Sequence, residues 1–299
     1  MARVSDGAIG RLRAAAAWPD LTGTRYDLLD CIGEGGMGAV FRARDRELGR
    51  DVAIKVAAFG FAPDADRLRH EARVLATLEH AGIVPVHDVG VLPDGRAFYV
   101  MALVRGTRLD AHLAGVRDLD PRLRLFDRVC DTVAFAHAHG VIHRDLKPAN
   151  IMVGSFGEVR VVDWGLARVG GRVADAVAGT DGYMAPEQRQ GLADARSDVY
   201  ALGAILRDLS ASCDEGGRRR RTLRAIVARA MADDPRDRYQ DAAALADDVR
   251  RFSSGAAVDA YRESPIERAG RLVVAYRTPI ALILAYLAMR VVLLLWGRL

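Results

Sequence analysis

The chain reads HRDLKPAN at residues 143–150 and DWG at residues 163–165, and these two stretches decide the fold. They bring two carboxylates, from Asp145 and Asp163, close in sequence to the amide of Asn150. Such oxygen groups suit Mg²⁺, which proteins bind through one or two carboxylates together with phosphate oxygens. A carboxylate at Asp145 can also accept a proton from a hydroxyl group. The two stretches therefore indicate magnesium-dependent chemistry on phosphate.

Lysine occurs only at positions 55 and 147, although the chain has 43 basic residues. Lys55 ends the apolar run 52–55, and Lys147 lies two residues after Asp145. Lysine is a compact, flexible point charge, whereas arginine is a rigid planar fork. A codon bias toward arginine explains the arginines, but it does not explain where the two lysines lie. We interpret both lysines as groups that neutralise phosphate charge.

A glycine-rich segment precedes the first lysine. Residues 32–40 read IGEGGMGAV, which fits the pattern G-x-G-x-x-G-x-V. Glycine lets the backbone approach phosphate closely. The pattern is weak by itself, because the chain contains 29 glycines. It does not fit a dinucleotide fold or a Walker loop, because a strand is predicted to follow and Gly-Lys-Ser/Thr is absent.

The bulk composition excludes several classes of protein. The net charge is +4, acidic residues nearly match basic ones, and no basic-aromatic stripe appears, so we expect no nucleic-acid partner. Cys31, Cys130 and Cys213 are scattered and odd in number, which favours a reducing compartment over a disulfide or zinc framework. The apolar run at 14–17 is too short for a signal peptide.

The apolar pattern predicts two lobes and an α+β fold. Short apolar runs between turns predict antiparallel strands at 26–32, 39–43, 52–57, 83–91 and 97–104. Helical spacing predicts helices at 65–78, 123–139, 199–209, 223–231 and 242–252. A small sheet-rich lobe followed by a larger helical lobe predicts a ligand crevice between them.

Together these motifs resemble the eukaryotic-type (Hanks-type) protein kinases, from about residue 26 to residue 252. The motifs are most similar to those of bacterial serine/threonine kinases. Lys147, Gly179-Thr180 and the A-P-E motif at 185–187 are similar to the serine/threonine branch. The resemblance implies the bilobal protein-kinase fold, ATP and Mg²⁺ as cofactors, and transfer of the γ-phosphoryl group to protein hydroxyls in bacterial signalling.

The resemblance also implies roles for single residues. Asp145 is the catalytic base, assisted by Lys147 and Thr180, and Asn150 and Asp163 hold magnesium. Lys55 holds the α- and β-phosphates and pairs with Glu71, while glycines cover the phosphates and apolar residues surround adenine and form the hinge. The remaining cofactor-binding positions are Ile32, Gly33, Gly35, Gly36, Gly38, Val40, Ala53, Met101, Ala102, Leu103 and Met152.

Two supporting contacts are implied in the helical lobe. Glu187 of the A-P-E motif pairs with Arg238, and Asp198 braces the catalytic loop. The sequence departs from the family at Trp164, where phenylalanine is usual. Trp164 is still a large apolar ring, and we do not take it as a sign of inactivity.

The segment from 163 to 187 contains only two hydroxyl side chains, Thr180 and Tyr183. We therefore hypothesise that activity does not require a phosphate on this segment. In its place, Asp175 or Asp181 is expected to partner Arg144.

Residues 210–221 are short for the family, which puts substrate docking there in doubt. The arginines at 218–221 are interpreted as a solvated loop.

The C-terminal end is apolar. Residues 280–296 carry one charge, Arg290, and form a helix roughly 26 Å long, near the lower limit for a membrane span. We expect an N-terminal extension at 1–25, a kinase domain at 26–255, a basic juxtamembrane linker at 256–278 and a transmembrane helix at 279–297. The positive-inside rule then places the kinase domain in the cytoplasm, anchored to the plasma membrane and its lipids.

Several alternatives remain open at this point. A pseudokinase scaffold would bind nucleotide or partners without catalysis, and a small-molecule kinase would lack the protein-substrate platform that residues 179–187 resemble. The C-terminal helix could instead pack on the kinase or on a partner, which leaves a soluble cytoplasmic protein. Protein substrates and a second copy of the chain are the other expected partners.

Overall fold

The computed structural model describes residues 18–35, 38–58, 62–169, 179–213, 216–265, 267–268 and 277–296. The N-terminal lobe is built on a five-stranded antiparallel sheet in the order β1-β2-β3-β5-β4. Its strands are β1 (Tyr26–Gly35), β2 (Gly38–Asp45), β3 (Arg50–Ala57), β4 (Val86–Val91) and β5 (Ala97–Ala102). Helix α1 (Ala62–Ala76) packs against this sheet.

The C-terminal lobe is mainly helical. Its helices are α2 (Leu109–Leu113), α3 (Leu119–Ala138), α4 (Ala195–Ala211), α5 (Gly217–Ala230) and α6 (Ala242–Ser253). Short strands carry the loops that face the other lobe: β6 (Thr107–Arg108), β7 (Val141–Ile142), β8 (Ile151–Val153), β9 (Val159–Val161) and β10 (Arg168–Val169). The predicted α+β fold, with an antiparallel N-terminal lobe and a helical C-terminal lobe, is confirmed.

Local sequence signals explain where the helices begin and end. Asp194 caps α4 by accepting a hydrogen bond from the backbone of Arg196, and Ser197 completes a capping box. Asp241 caps α6 in the same way. Gly140 follows α3 with a φ of 72°, a left-handed conformation that glycine adopts without a steric penalty.

The buried apolar residues form two clusters, of which only the larger joins the two lobes. The larger cluster runs from the inner face of the sheet through α1 to the helices of the C-terminal lobe. A smaller cluster covers the outer face of the sheet, where Leu21 is buried and Trp18 packs edge-on against Phe41. Residues 18–25 of the predicted N-terminal extension therefore belong to the folded lobe, while residues 1–17 lie outside the described part.

Some predicted boundaries are wrong. The strand at 83–91 begins at Val86 and the strand at 97–104 ends at Ala102, because the chain there turns toward the crevice between the lobes. Helix α5 begins at Gly217, so the arginines at 218–221 lie in its first turns and not in a solvated loop. They have folded partners: Arg219 contacts Asp120, and Arg221 contacts Glu267.

A C-terminal helix, α7 (Arg277–Trp296), carries an apolar sequence. Its described apolar side chains include exposed Leu282, Ile283, Leu284, Tyr286, Leu287 and Met289. Over the residues that the structure describes, no helix combines the length and the apolar character needed to cross a membrane. The transmembrane prediction at 279–297 is not supported.

Candidate active site

The crevice between the lobes is a cleft of about 630 Å³. Among the positions that the sequence predicts, it is lined by Ile32, Gly33, Gly38, Val40, Ala53, Lys55, Met101, Ala102, Leu103, Asp145, Asn150, Met152 and Asp163. Gly35 lies in β1 opposite Gly38, and Gly36 lies outside the described residues. A larger cavity of about 960 Å³ lies between α2, α3 and α4, and none of the predicted site residues lines it. Most of the predicted site residues therefore lie at the inter-lobe cleft.

The roof of the cleft carries a buried ion pair. Lys55 Nζ lies 2.8 Å from both carboxylate oxygens of Glu71, which reaches it from α1. The same ammonium lies 3.0 Å from Oδ1 of Asp163, on the floor of the cleft. Burial alone would lower the pKa of Lys55, but the two carboxylates outweigh this effect and raise it. Lys55 is therefore a fixed positive charge that connects both lobes.

The floor of the cleft carries a second cluster, around Asp145. Lys147 Nζ lies 2.7 Å from Asp145 Oδ2 and 2.7 Å from Thr180 Oγ1. The Thr180 hydroxyl donates to Asp145 Oδ1 at 2.8 Å. Asn150 Nδ2 donates to the Asp145 carbonyl at 2.9 Å and to Oδ2 at 3.2 Å. The side chains of Lys147, Asn150 and Thr180 therefore all contact the carboxylate of Asp145.

Asp163 and Asn150 fit a magnesium site completed by phosphate. Burial would raise the pKa of Asp163, but the charge of Lys55 outweighs it and the pKa is lowered, so the side chain is ionised. Asn150 donates through its amide nitrogen, which leaves the amide oxygen as an acceptor. No group of three or more His, Cys, Asp or Glu in the described ranges could hold a metal. Two protein oxygens with phosphate oxygens suit Mg²⁺, which seldom uses an all-protein cage.

Asp198 braces the catalytic loop, as the sequence predicts. Its carboxylate accepts the backbone N–H groups of His143 and Arg144, both at 2.8 Å, and contacts His137 Nε2 at 2.9 Å. Arg144 has a φ of 71° and Asp163 a φ of 63°, both left-handed conformations that are uncommon outside glycine. Such strain persists only where surrounding contacts over-determine it, which is typical of functional sites.

Trp164 is buried beneath the cleft. Its ring centroid lies 4.6 Å from that of His143, and its indole N–H donates to the Val161 carbonyl at 3.1 Å. Phenylalanine has no donor for this bond. Tryptophan therefore fits the position and adds one polar contact that fixes the ring.

The predicted pair between Glu187 and Arg238 is present. The guanidinium donates to both carboxylate oxygens, at 2.7 and 2.8 Å, and the arginine side chain is fully buried. Burial would raise the pKa of Glu187, but its hydrogen bonds with Arg238 and Ser197 outweigh this and lower it. The pair ties the A-P-E segment to the loop between α5 and α6.

One predicted partner of Arg144 is wrong. Asp181 is almost fully exposed and lies 3.6 Å from Arg189, whereas Arg144 is buried. The alternative partner, Asp175, lies outside the described residues.

Three residues of the site were not predicted from the sequence. Tyr99 donates to Glu71 Oε1 at 3.0 Å, His137 supports Asp198, and Gln188 Nε2 donates to the Arg144 carbonyl at 2.6 Å. Tyr99 looks like an ordinary strand residue in sequence, and Gln188 follows the A-P-E motif without a pattern of its own. A resemblance to family motifs does not reveal them, because their roles depend on contacts between distant segments.

Gly38 is required by backbone geometry. Its φ is 142°, and a Cβ there would lie 2.0 Å from the Val56 carbonyl oxygen. We expect Gly38→Ala to lower the free energy of unfolding by about 1–3 kcal/mol, measured by chemical denaturation. Gly216→Ala is the control, because a Cβ there meets open space. Equal denaturation midpoints for both variants would contradict the assignment.

A comparison with family models matches this architecture. The model of the protein kinase domain matches residues 26–239, which include the glycine segment, both lysines, the catalytic loop and the Glu187–Arg238 pair. The match covers well over half of the chain.

Curated bacterial proteins are similar over the same region. Serine/threonine-protein kinase PknB of Mycolicibacterium smegmatis is 37% identical over 281 residues, covering 81% of this chain and 45% of PknB. The DNA damage-responsive serine/threonine-protein kinase RqkA of Deinococcus radiodurans is 42% identical over 198 residues, covering 61% of this chain and 29% of RqkA. The chain thus spans less than half the length of these relatives. On both comparisons it belongs to the protein kinase family, in the eukaryotic-type branch of bacterial serine/threonine kinases.

Proposed function

We propose that this chain is an active serine/threonine protein kinase that transfers the γ-phosphoryl group of ATP to hydroxyl groups of protein substrates. Protein kinases of this family use ATP and Mg²⁺. One observation carries the proposal: the Lys55–Glu71 pair and the Asp145 cluster face one cleft, and Asp163 contacts Lys55 across it. These are the charged groups that phosphoryl transfer requires, already assembled.

The roof of the cleft binds the phosphates. Lys55, held by Glu71, is the positive charge for the α- and β-phosphates. Gly33 and Gly38 line the same cleft, and together with Gly35 they let the strand pair β1–β2 cover the phosphates closely. The glycine segment and Lys55 are connected through strand pairing, because Val40 is opposite Lys55 in β3.

The floor of the cleft acts on the acceptor. Asp145 receives the proton of the substrate hydroxyl and orients it. Lys147 neutralises charge that develops on the phosphoryl group, and Thr180 fixes both side chains by bonding to each. Asn150 and Asp163 hold magnesium, which when bound neutralises charge on the phosphate oxygens.

The remaining cofactor positions form the apolar end of the cleft. Adenine lies between Val40 and Ala53 above and Met152 below, beside the hinge at 102–104. Met101 pairs with Ala53 across β3 and β5 and closes the back of the cleft. Ile32, almost half exposed, covers the entrance. An apolar pocket with a few polar groups is the usual form of a nucleotide site.

The scaffold alternative is weaker. A kinase fold without catalysis would be favoured by loss or displacement of Lys55, Asp145, Asn150 or Asp163, and all four line the cleft.

Membrane attachment is a separate prediction from the sequence, and catalysis in the cleft does not require it. Binding to lipid through the C-terminal helix and pairing with a second copy of the chain remain predictions of the same kind. A soluble protein is the alternative.

Phosphate transfer from labelled ATP to a generic basic protein tests the proposal. We expect the full chain with Mg²⁺ to label serine or threonine, identified by phosphoamino-acid analysis, and Lys55→Met to be at least about 100-fold slower. Arg46→Met, which removes an exposed charge, is the matched control and is expected to keep its rate. Equal rates for Lys55→Met and the wild type would contradict the role of Lys55. A folded chain without transfer would favour the scaffold.

A further inference from the structure

Tyr99 lies in β5 directly opposite Lys55 in β3. Residues opposite each other in an antiparallel pair project from the same face, so both side chains point toward α1. The Tyr99 hydroxyl donates to Glu71 Oε1 at 3.0 Å, and the tyrosine is 1% exposed. Glu71 is therefore held by two neighbouring strands of the sheet and not by Lys55 alone.

The tyrosine supplies a further hydrogen bond to a buried carboxylate. Glu71 is 2% exposed, and a buried charge is costly unless it is paired and hydrogen-bonded. The Lys55 ammonium contacts both carboxylate oxygens of Glu71, but it also bonds to Asp163. Lys55 is therefore not a partner of Glu71 alone. Burial and the negative charge of Glu71 raise the pKa of Tyr99 well above its usual range. The hydroxyl therefore keeps its proton and donates at all working pH values.

In the described part of the segment from 163 to 187, neither hydroxyl side chain bonds to Glu71. Between positions 163 and 187 the only hydroxyl side chains are Thr180 and Tyr183. Thr180 bonds to Asp145, and Tyr183 donates to Asp208 at 2.7 Å. Both hydroxyls already have structural partners, so a phosphate added to either would break an existing contact. The described donors to Glu71, Lys55 and Tyr99, both belong to the N-terminal lobe.

We propose that the Tyr99 hydroxyl is a positioning group for phosphoryl transfer, which holds Glu71 and helix α1 in the orientation that keeps Lys55 in the cleft. This inference rests on the proposed kinase function. Tyr99 acts through Glu71 and Lys55 and does not touch the reacting atoms. The contact between Tyr99 and Glu71 thus holds α1 in this orientation before any substrate binds.

Tyr99→Phe tests the proposal, because it removes the hydroxyl and keeps the ring. We expect kcat/KM for ATP to fall about tenfold, the scale of a hydrogen bond to a charged group. The KM for ATP should rise, while the KM for the protein substrate should stay within about twofold of wild type, because the acceptor site is built from the other lobe.

Tyr239→Phe is a matched control. Tyr239 is also buried, and its hydroxyl donates to a carboxylate, Asp248 Oδ2 at 2.8 Å, but within the C-terminal lobe. Both variants lose a buried hydroxyl from a carboxylate, so both are expected to lose some stability. Only Tyr99→Phe should lose activity. Equal kinetic effects in the two variants would overturn the positioning role.

Hydrogen exchange of the α1 amides gives a readout that does not need catalysis. In Tyr99→Phe these amides should exchange faster than in the wild type, and in Tyr239→Phe they should not change. Unchanged exchange in Tyr99→Phe overturns the inference whatever the activity. Faster exchange in that variant, with a wild-type chain that transfers no phosphate, would contradict the kinase function alone and leave the contact to α1 supported.

Discussion

Asp145→Asn is expected to lower kcat by about a thousandfold, within the range that general-base groups contribute. The amide keeps the shape of the side chain and can still bond to Lys147 and Thr180, but it cannot accept the proton of a substrate hydroxyl. Nucleotide affinity should stay within about threefold of wild type, because Asp145 lies on the acceptor side of the cleft.

Steady-state kinetics and nucleotide titration on the same preparations check this prediction. Asp66→Asn is the matched control, because its side chain is exposed on α1 and it carries the same change of charge. Retention of more than about a tenth of the wild-type kcat in Asp145→Asn would show that another group accepts the proton.

Arg238→Met is expected to lower the free energy of unfolding by about 3 kcal/mol, because it removes a fully buried guanidinium and leaves the partly buried Glu187 carboxylate without its partner. The Arg238 guanidinium donates to both oxygens of Glu187 and to the Ala232 carbonyl, and no part of its side chain is exposed. The lowered pKa of Glu187 adds a pH dependence. The contribution of Glu187 is fully present above its unfolded pKa, near 4.5, and is lost as the pH falls through the lower folded value.

Urea denaturation at neutral pH and in acid measures both effects. Arg42→Met is the control: its pair with Asp30 is short, at 2.6 Å, but both side chains are nearly half exposed. We expect it to cost less than about 1 kcal/mol. If Arg238→Met were no more destabilising than Arg42→Met, the pair would not be the anchor that the buried geometry indicates.

The catalytic positions could be predicted because the chemistry fixes residue type and spacing together. In HRDLKPAN, Asp145, Lys147 and Asn150 lie on one short loop at fixed spacing. They can therefore be recognised in the sequence as a compact pattern. The Lys55–Glu71 pair was predictable for a related reason, since a buried lysine needs a partner charge.

The contacts that depend on packing could not be predicted. Tyr99 reads as one apolar strand residue among several, and only the register that places it opposite Lys55 shows that its hydroxyl reaches Glu71. The arginines at 218–221 look like a solvated run, yet Tyr261 and Glu267 contact Arg221 on α5. The C-terminal apolar helix is present over Arg277–Trp296, but no helix in the described residues meets the length and apolar character of a membrane span.

The most direct test of the account is the initial rate of phosphate transfer by the full chain after phosphatase treatment, with its phosphate-free state verified by intact mass. Lys55 contacts Glu71, and the two hydroxyl side chains between 163 and 187, Thr180 and Tyr183, already bond to Asp145 and Asp208. We therefore predict transfer that is linear from the start, without a lag for autophosphorylation. Absence of transfer, or a lag that disappears once Thr180 or Tyr183 is phosphorylated, would contradict it.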